Sequence, residues 1–269
     1  MRKSLFILAI SLLVPLFCYA QESFESIKNK AQNGDAAAQF KLAEAYYDGE
    51  GVEEDLTKAA YWYKKSAEKG YVQAQSKMSV LYYAGQGVET DYKQTVYWAR
   101  KAAEKNDAKA QLMLGFCYVK GYGVEEDEEK AFYWWKKSAE QGEYGAEYYL
   151  GTCYSDGIGV DEDEEQAFYW YKKSAEKDYD EAQLKLGQAY YEGKGVEKDE
   201  KQGVYWLKKA AEQDNAEAQV MIGYAYYEGK GVAKDLKQAT YWAKKAAEQG
   251  NTWGQMLLEI IEEGGDKTE

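Results

Sequence analysis

Trp62, Trp98, Trp134, Trp170, Trp206 and Trp242 follow one another at intervals of 36 residues, with no insertion or deletion between them. Gly51, Gly87, Gly123, Gly159, Gly195 and Gly231 keep the same interval, as do Asp55, Asp91, Asp127, Asp163, Asp199 and Asp235. A fixed period constrains the fold more than any other feature. A unit of that size cannot bury a core alone and has to stack on copies of itself. The 269 residues are therefore read as an array rather than as one or two globular domains.

Each unit holds two helical patterns. In residues 216–229, Ala218, Ile222, Ala225 and Tyr226 recur at spacings of three and four, which places them on one face of a helix. In residues 235–250 the corresponding stripe is Ala239, Trp242, Ala246 and Ala247. No segment alternates with the period of two that a strand needs, so the chain is read as all-α. The only proline is Pro15, which leaves everything after it free of the break that proline imposes on a helix.

The glycine-rich joints invite two readings. YYEGKGVEKD at 190–199 looks like a phosphate loop, and it returns in near copies at 46–55, 82–91 and 226–235. As a joint, Gly193 ends the first helix in the left-handed conformation, Gly195 adds a second permissive position, and Val196 tucks between the helices. Asp199 then caps the second helix, and Gln94, Gln166, Gln202 and Gln238 stand where a capping-box partner belongs. An acidic cap occupies the place where a phosphate would sit, so the structural reading prevails. The end of the second helix carries its own signature: Gly70, Asn106, Gly142, Asp178, Asp214 and Gly250 all tolerate a left-handed backbone. Pairs of cations such as Lys172-Lys173 precede them, and acidic runs such as 125–129 open the second helices, as the helix dipole favours.

The shared pattern A-x-A-Q-x-x-x-G-x-x-Y-x-x-G-x-G-V-x-x-D-x-x-x-A-x-x-W-x-x-K-A-A-E-x-G resembles the Sel1-like repeat. Residues 181–213 and their five counterparts carry it. The resemblance implies a right-handed α-solenoid of six 36-residue helix hairpins, related to tetratricopeptide repeats and largely non-catalytic, with a concave groove for protein partners. The repeats then run 36–71, 72–107, 108–143, 144–179, 180–215 and 216–251, between an N-terminal capping helix in 21–34 and a C-terminal one in 252–263. In the first cap Ala31 and Gly34 take the places of Ala67 and Gly70. In the second, Trp253 and Leu258 are expected on the buried side, Glu259 stands where Gly115 and Gly187 do, and 264–269 reads as a frayed tail. Some secreted proteins that resemble this chain carry a cysteine pair in every repeat. That pattern is missing here, so their disulfides are not expected.

Residues 1–20 open with Arg2 and Lys3, continue through an apolar run and end at Ala20, the layout of a cleaved secretory leader. The run is short of the ~20 residues that cross a bilayer. Phe17 argues against lipidation of Cys18, where lipoprotein signals resemble one another in having a small residue. The expected address is the periplasm or the exterior. Losing Arg2 and Lys3 takes the formal charge from −13 to −15, which repels nucleic acid and anionic lipid, so neither is expected as a partner.

Chemistry finds little purchase in the sequence. Histidine is absent, which removes Ser-His-Asp and Cys-His machinery and the H-E-x-x-H zinc site. The acidic runs lack the calcium-loop ligand ladder, and nothing marks a pair of carboxylates in a cleft, so no metal, cofactor or catalytic residue is expected. Cys117 and Cys153 fill a slot that holds Ala45, Ala189 and Ala225 in other units, which reads as two reduced, buried thiols. Like helices of neighbouring units pack ~8–10 Å apart, beyond the reach of a disulfide. The tryptophan column, and with it the column Tyr61, Tyr97, Tyr133, Tyr169, Tyr205 and Tyr241, is read as core rather than as a carbohydrate platform.

Function is sought where the repeat is not kept. On the first helix, the positions of Lys41, Glu44 and Asp48 point away from the buried stripe, yet they hold Met113 and Phe116, Tyr149 and Thr152, and Met221 and Tyr224 in three units. These six residues are the expected partner-binding residues, since Met and aromatics concentrate at interface centres. The chain is thus expected to be an exported, monomeric, non-catalytic scaffold holding a protein or peptide in its groove. The alternative is a cell-envelope enzyme acting on peptidoglycan or a β-lactam; a third reading, a secreted factor engaging host proteins, differs only in address.

Overall fold

The computed structural model describes residues 23–265, all in helices and the turns that join them. The leader reading of 1–20 and the tail residues 266–269 lie outside the described residues. A single helix, α1 (Phe24–Gln32), precedes the six hairpins. These are α2 (Ala36–Asp48) with α3 (Leu56–Glu68), α4 (Val72–Ala84) with α5 (Tyr92–Ala103), and α6 (Ala108–Lys120) with α7 (Glu128–Glu140). The next are α8 (Tyr144–Asp156) with α9 (Glu164–Ala175), α10 (Asp180–Glu192) with α11 (Glu200–Glu212), and α12 (Ala216–Glu228) with α13 (Leu236–Glu248); α14 (Thr252–Gly265) closes the stack. Each helix packs on its hairpin partner and on the helix before it. First helices of successive repeats also touch directly, α4 with α6 and α12 with α14, which puts the first helices on the inside of the curve.

The joints form as their residues dictate. Asp199 accepts from the backbone N–H of Lys201 and Gln202 at 3.0 and 3.1 Å, while its own N–H donates back to Tyr190 O at 2.9 Å. Gly193 ends α10 at φ +77°, and the left-handed position also appears at Asn106 (+66°), Asp178 (+61°) and Asp214 (+64°). At every joint after the first, where Gly51 has open space around it, the second glycine does more than turn the chain. A Cβ on Gly195 would stand 1.9 Å from Glu164 O of the preceding repeat, and one on Gly87 2.0 Å from Leu56 O. That glycine is where one repeat rests on the last.

Two further columns hold the stack together, the first reaching across the seam and the second packing the helices of each hairpin. Gln39, Gln75, Gln111, Gln183 and Gln219 are buried, and each donates its amide to a carbonyl at the end of the previous second helix at 3.0–3.3 Å. In three repeats a second glutamine 30 residues on completes the chain of bonds: Gln141 to Gln111, Gln213 to Gln183 and Gln249 to Gln219. The fourth repeat replaces this pair with an ion pair, the fully buried Glu147 against Lys177 at 2.7 Å. The second column matches bulk with its absence. A Cβ on Gly115, Gly151 or Gly187 would strike the side chain of Trp135, Tyr171 or Leu207 within 2.7 Å.

Two expectations are corrected. The tyrosine column is not core: Tyr61, Tyr97, Tyr133, Tyr169, Tyr205 and Tyr241 are 47–54% exposed. Each lies edge-on to the tryptophan beside it at 4.9–5.1 Å, on the outer side of the stack. The tryptophans themselves are buried (Trp98, Trp242) or half-buried. In the C-terminal cap, Trp253 is 66% exposed, not buried; Leu257 and Ile261 are buried and Leu258 half-buried. Gly254 explains the difference: a Cβ there would meet Ala246 Cβ at 2.8 Å, so α14 lies tight against α13 on its Gly254, Leu257 and Ile261 face. Cys117 and Cys153 are buried free thiols, and burial pushes both up to about 12.

Candidate functional site

The six expected residues all lie on first helices, on the inner side of the stack. Met113 and Phe116 belong to α6, Tyr149 and Thr152 to α8, and Met221 and Tyr224 to α12. They are half-buried, apart from Tyr224, which is exposed. Phe116 meets Tyr83 of the repeat before it at 5.7 Å and Tyr122 at 6.0 Å; Tyr122 stacks in turn on Tyr92 at 4.6 Å. Tyr149 stacks on Trp135 at 4.9 Å, with the rings 13° from parallel. Trp135 is buried, and its indole N–H donates to Leu112 O at 3.2 Å, so the platform under Tyr149 is held in place. Thr152 accepts from the Tyr171 hydroxyl at 3.3 Å.

The structure therefore groups the residues in two places. Met113, Phe116, Tyr149 and Thr152 share the middle of the inner face, across α6 and α8. Met221 and Tyr224 line a separate open pocket of about 270 Å³ with Tyr191, Val220 and Glu228. Sequence reasoning missed several members of the central group: Tyr83 and Tyr122, Trp135, and the tyrosines Tyr148 and Tyr179. Tyr148 lies 5.3 Å from Tyr149 and 5.4 Å from Tyr179. Burial raises all three phenols above the ordinary tyrosine range. The missed signal was the residue after each tryptophan, which runs Tyr63, Ala99, Trp135, Tyr171, Leu207 and Ala243 and so breaks the period.

Among the described residues, no group of three or more His, Cys, Asp or Glu is placed to hold a metal ion, and no helix is long and apolar enough to cross a membrane.

The Sel1 repeat family model matches residues 36–71, 72–107, 108–143, 145–179, 180–215 and 216–251. The chain belongs to the Sel1 repeat family. Solved structures place this Sel1 repeat chain beside other arrays of its kind. It superposes with a TM-score of 0.83 at 36% identity on a protective antigen of uropathogenic Escherichia coli, over 90% of this chain and 52% of that one. A Sel1 repeat protein from Oxalobacter formigenes gives 0.76 at 31% identity, over 84% and 92% of the two chains. The secretory immunoglobulin A-binding protein EsiB of Escherichia coli is 37% identical over 71 residues, 24% of this chain and 14% of that protein. The Sel1 repeat chain thus spans about half the antigen's length and a smaller part of EsiB.

Proposed function

We propose that the protein is an exported, non-catalytic scaffold that binds another protein or a peptide on the inner face of its stack, centred on Met113, Phe116, Tyr149 and Thr152, with Met221 and Tyr224 as a second contact. The observation that carries this reading is the break in periodicity there. Positions that hold Lys41 and Glu44 in the first repeat hold Met113 and Phe116 in the third and Tyr149 and Thr152 in the fourth. Aromatic and Met side chains grouped on a rigid platform are the usual centre of a binding surface. The name of one relative records immunoglobulin binding and that of another describes an antigen, both in keeping with surfaces that meet other proteins. Residues 1–20 supply the export signal in this reading.

The test compares partners crosslinked to wild type and to Phe116→Ala/Tyr149→Ala in an envelope fraction. The reading expects at least one partner captured by the first and lost from the second, and identical recovery ends it. Turnover of nitrocefin by the purified protein would favour the envelope enzyme.

A further inference from the structure

The inner face is filled differently along its length. Between the first two repeats the chain places a cation of its own there. Lys77 Nζ lies 4.9 Å from the centre of the Tyr47 ring and 6.0 Å from that of Tyr63, and 3.5 Å from the Glu44 carboxylate. An ammonium group held over aromatic faces beside a carboxylate is favourable, and more so as water is excluded.

The same kinds of group recur between the fourth and fifth repeats, without the cation. Tyr149 stacks on Trp135, Tyr148 lies against both Tyr149 and Tyr179, and all three phenols are half-buried. Glu181 opens the next first helix beside them, and its charge bears on all three phenols. Its Oε2 is buried and has no hydrogen-bond partner. Asp180 accepts from the Asn215 amide at 3.0 Å. No lysine or arginine of the described residues pairs with either carboxylate, including Lys185 one turn along the same helix. Burial, and after it the neighbouring Asp180, holds Glu181 above the usual carboxylate range, against a smaller opposing pull from Tyr179. Beyond it, Glu192 and Glu228 are paired with Lys194 and Lys230, and Glu217 accepts from the Gln188 amide at 2.9 Å, so the uncompensated carboxylates are those of Asp180 and Glu181.

We propose that the aromatic surface over Trp135, Tyr148, Tyr149 and Tyr179 receives an arginine or lysine side chain of the bound protein or peptide, countered by Asp180 and Glu181, with an apolar residue beside it on Met113 and Phe116. This rests on the inner face being the binding surface, and it names the chemistry of the partner: a cationic segment with an apolar anchor. In the first two repeats Lys77 makes a cation–aromatic contact of this kind within the chain, and at its equivalent position two repeats on Tyr149 lies over Trp135.

The experiment selects binders to the purified full chain from a random dodecapeptide phage library. The tightest binder is then resynthesised with arginine replaced by neutral citrulline, or lysine by norleucine, and titrated by calorimetry. The proposal expects a cation in the enriched peptides and about a tenfold weakening when its charge is removed. Asp180→Asn/Glu181→Gln should weaken the cationic peptide by a similar factor and leave the neutral one within about twofold, because both changes remove one interaction. Equal binding of the cationic peptide to wild type and variant overturns the proposal. Peptides that carry no cation yet are lost on Phe116→Ala end the cation proposal and keep the inner-face reading. Peptides indifferent to Phe116→Ala, Tyr149→Ala and the carboxylate variant end both, as does failure to enrich any peptide.

Discussion

The seam between repeats and the inner face of the stack are built from the same helices under different rules. The seam and the hairpin interior hold residues to fixed partners: Gly195 to the Glu164 carbonyl of the preceding repeat, and within one hairpin Gly187 to Leu207 and Gln219 to Gln249. Lysine stands at the place of Lys177 in the first two repeats as well, as Lys69 and Lys105, and Glu147 alone turns the contact into a buried ion pair. On the inner face the sequence wanders from Lys41 to Met113 to Tyr149 at one position, and the changes that accompany it are local, such as Trp135 beneath Tyr149. The contrast separates a seam shaped by folding from an inner face whose variation, in the proposed reading, serves a partner.

If the division is real, seam substitutions should cost stability and spare binding, while inner-face substitutions should do the reverse. The harshest test is Gly195→Ala. It demands a left-handed backbone of a residue with a Cβ and drives that Cβ into a backbone carbonyl, so urea unfolding should show a loss of about 4 kcal/mol. A loss below about 1 kcal/mol would remove the close-approach role of the second glycine. Trp135→Ala belongs to both regions, filling the space left by Gly115 and supporting Tyr149. It should cost about 3–5 kcal/mol and weaken partner binding as well, which makes it the one place where the comparison ought to blur.

Lys177→Met leaves Glu147 buried with only the more distant Lys173, 3.7 Å away, and should cost about 3 kcal/mol. The double change Glu147→Gln/Lys177→Gln rebuilds the glutamine pair of the third, fifth and sixth repeats and should return to within about 1 kcal/mol of wild type. A double variant no better than the single would show that the two positions are not coupled. Phe116→Ala, on the inner face, should cost no more than about 1.5 kcal/mol because the ring is only half-buried.

The smallest effect is electrostatic. Folding raises the pKa of Glu181, so the folded state disfavours its ionised form. The cost is present above the folded pKa and disappears as the pH falls below the unfolded value. Glu181→Gln should therefore melt slightly above wild type at pH 7, and the difference should close towards pH 4. A constant gap across that range would mean that Glu181 is not the group responsible.

Much of the architecture was legible in the sequence because it is local or strictly repeated. The Asp caps, the left-handed residues at Asn106, Asp178 and Asp214, and the helical faces of α12 and α13 follow from backbone geometry within a few residues. The site was legible only in outline. Met113, Phe116 and Tyr149 stood out against the period, but Trp135, Tyr148, Tyr179 and Glu181 did not, since they meet only once helices from neighbouring repeats are packed. The exposure of the outer tyrosines was misjudged for a related reason. A periodic aromatic is equally periodic whether it faces a neighbour or water.

The amino-acid order alone determined the number of hairpins, where each helix begins and ends, and that the hairpins must stack, because short-range sterics, capping and a constant period leave no other way to bury the apolar stripes. Tertiary structure decided which residues face one another across a seam, that α14 buries Leu257 and exposes Trp253, and that carboxylates and tyrosines from different repeats come together on one inner face. Those outcomes depend on distances between helices that no local pattern encodes, set by the small residues that let the helices approach.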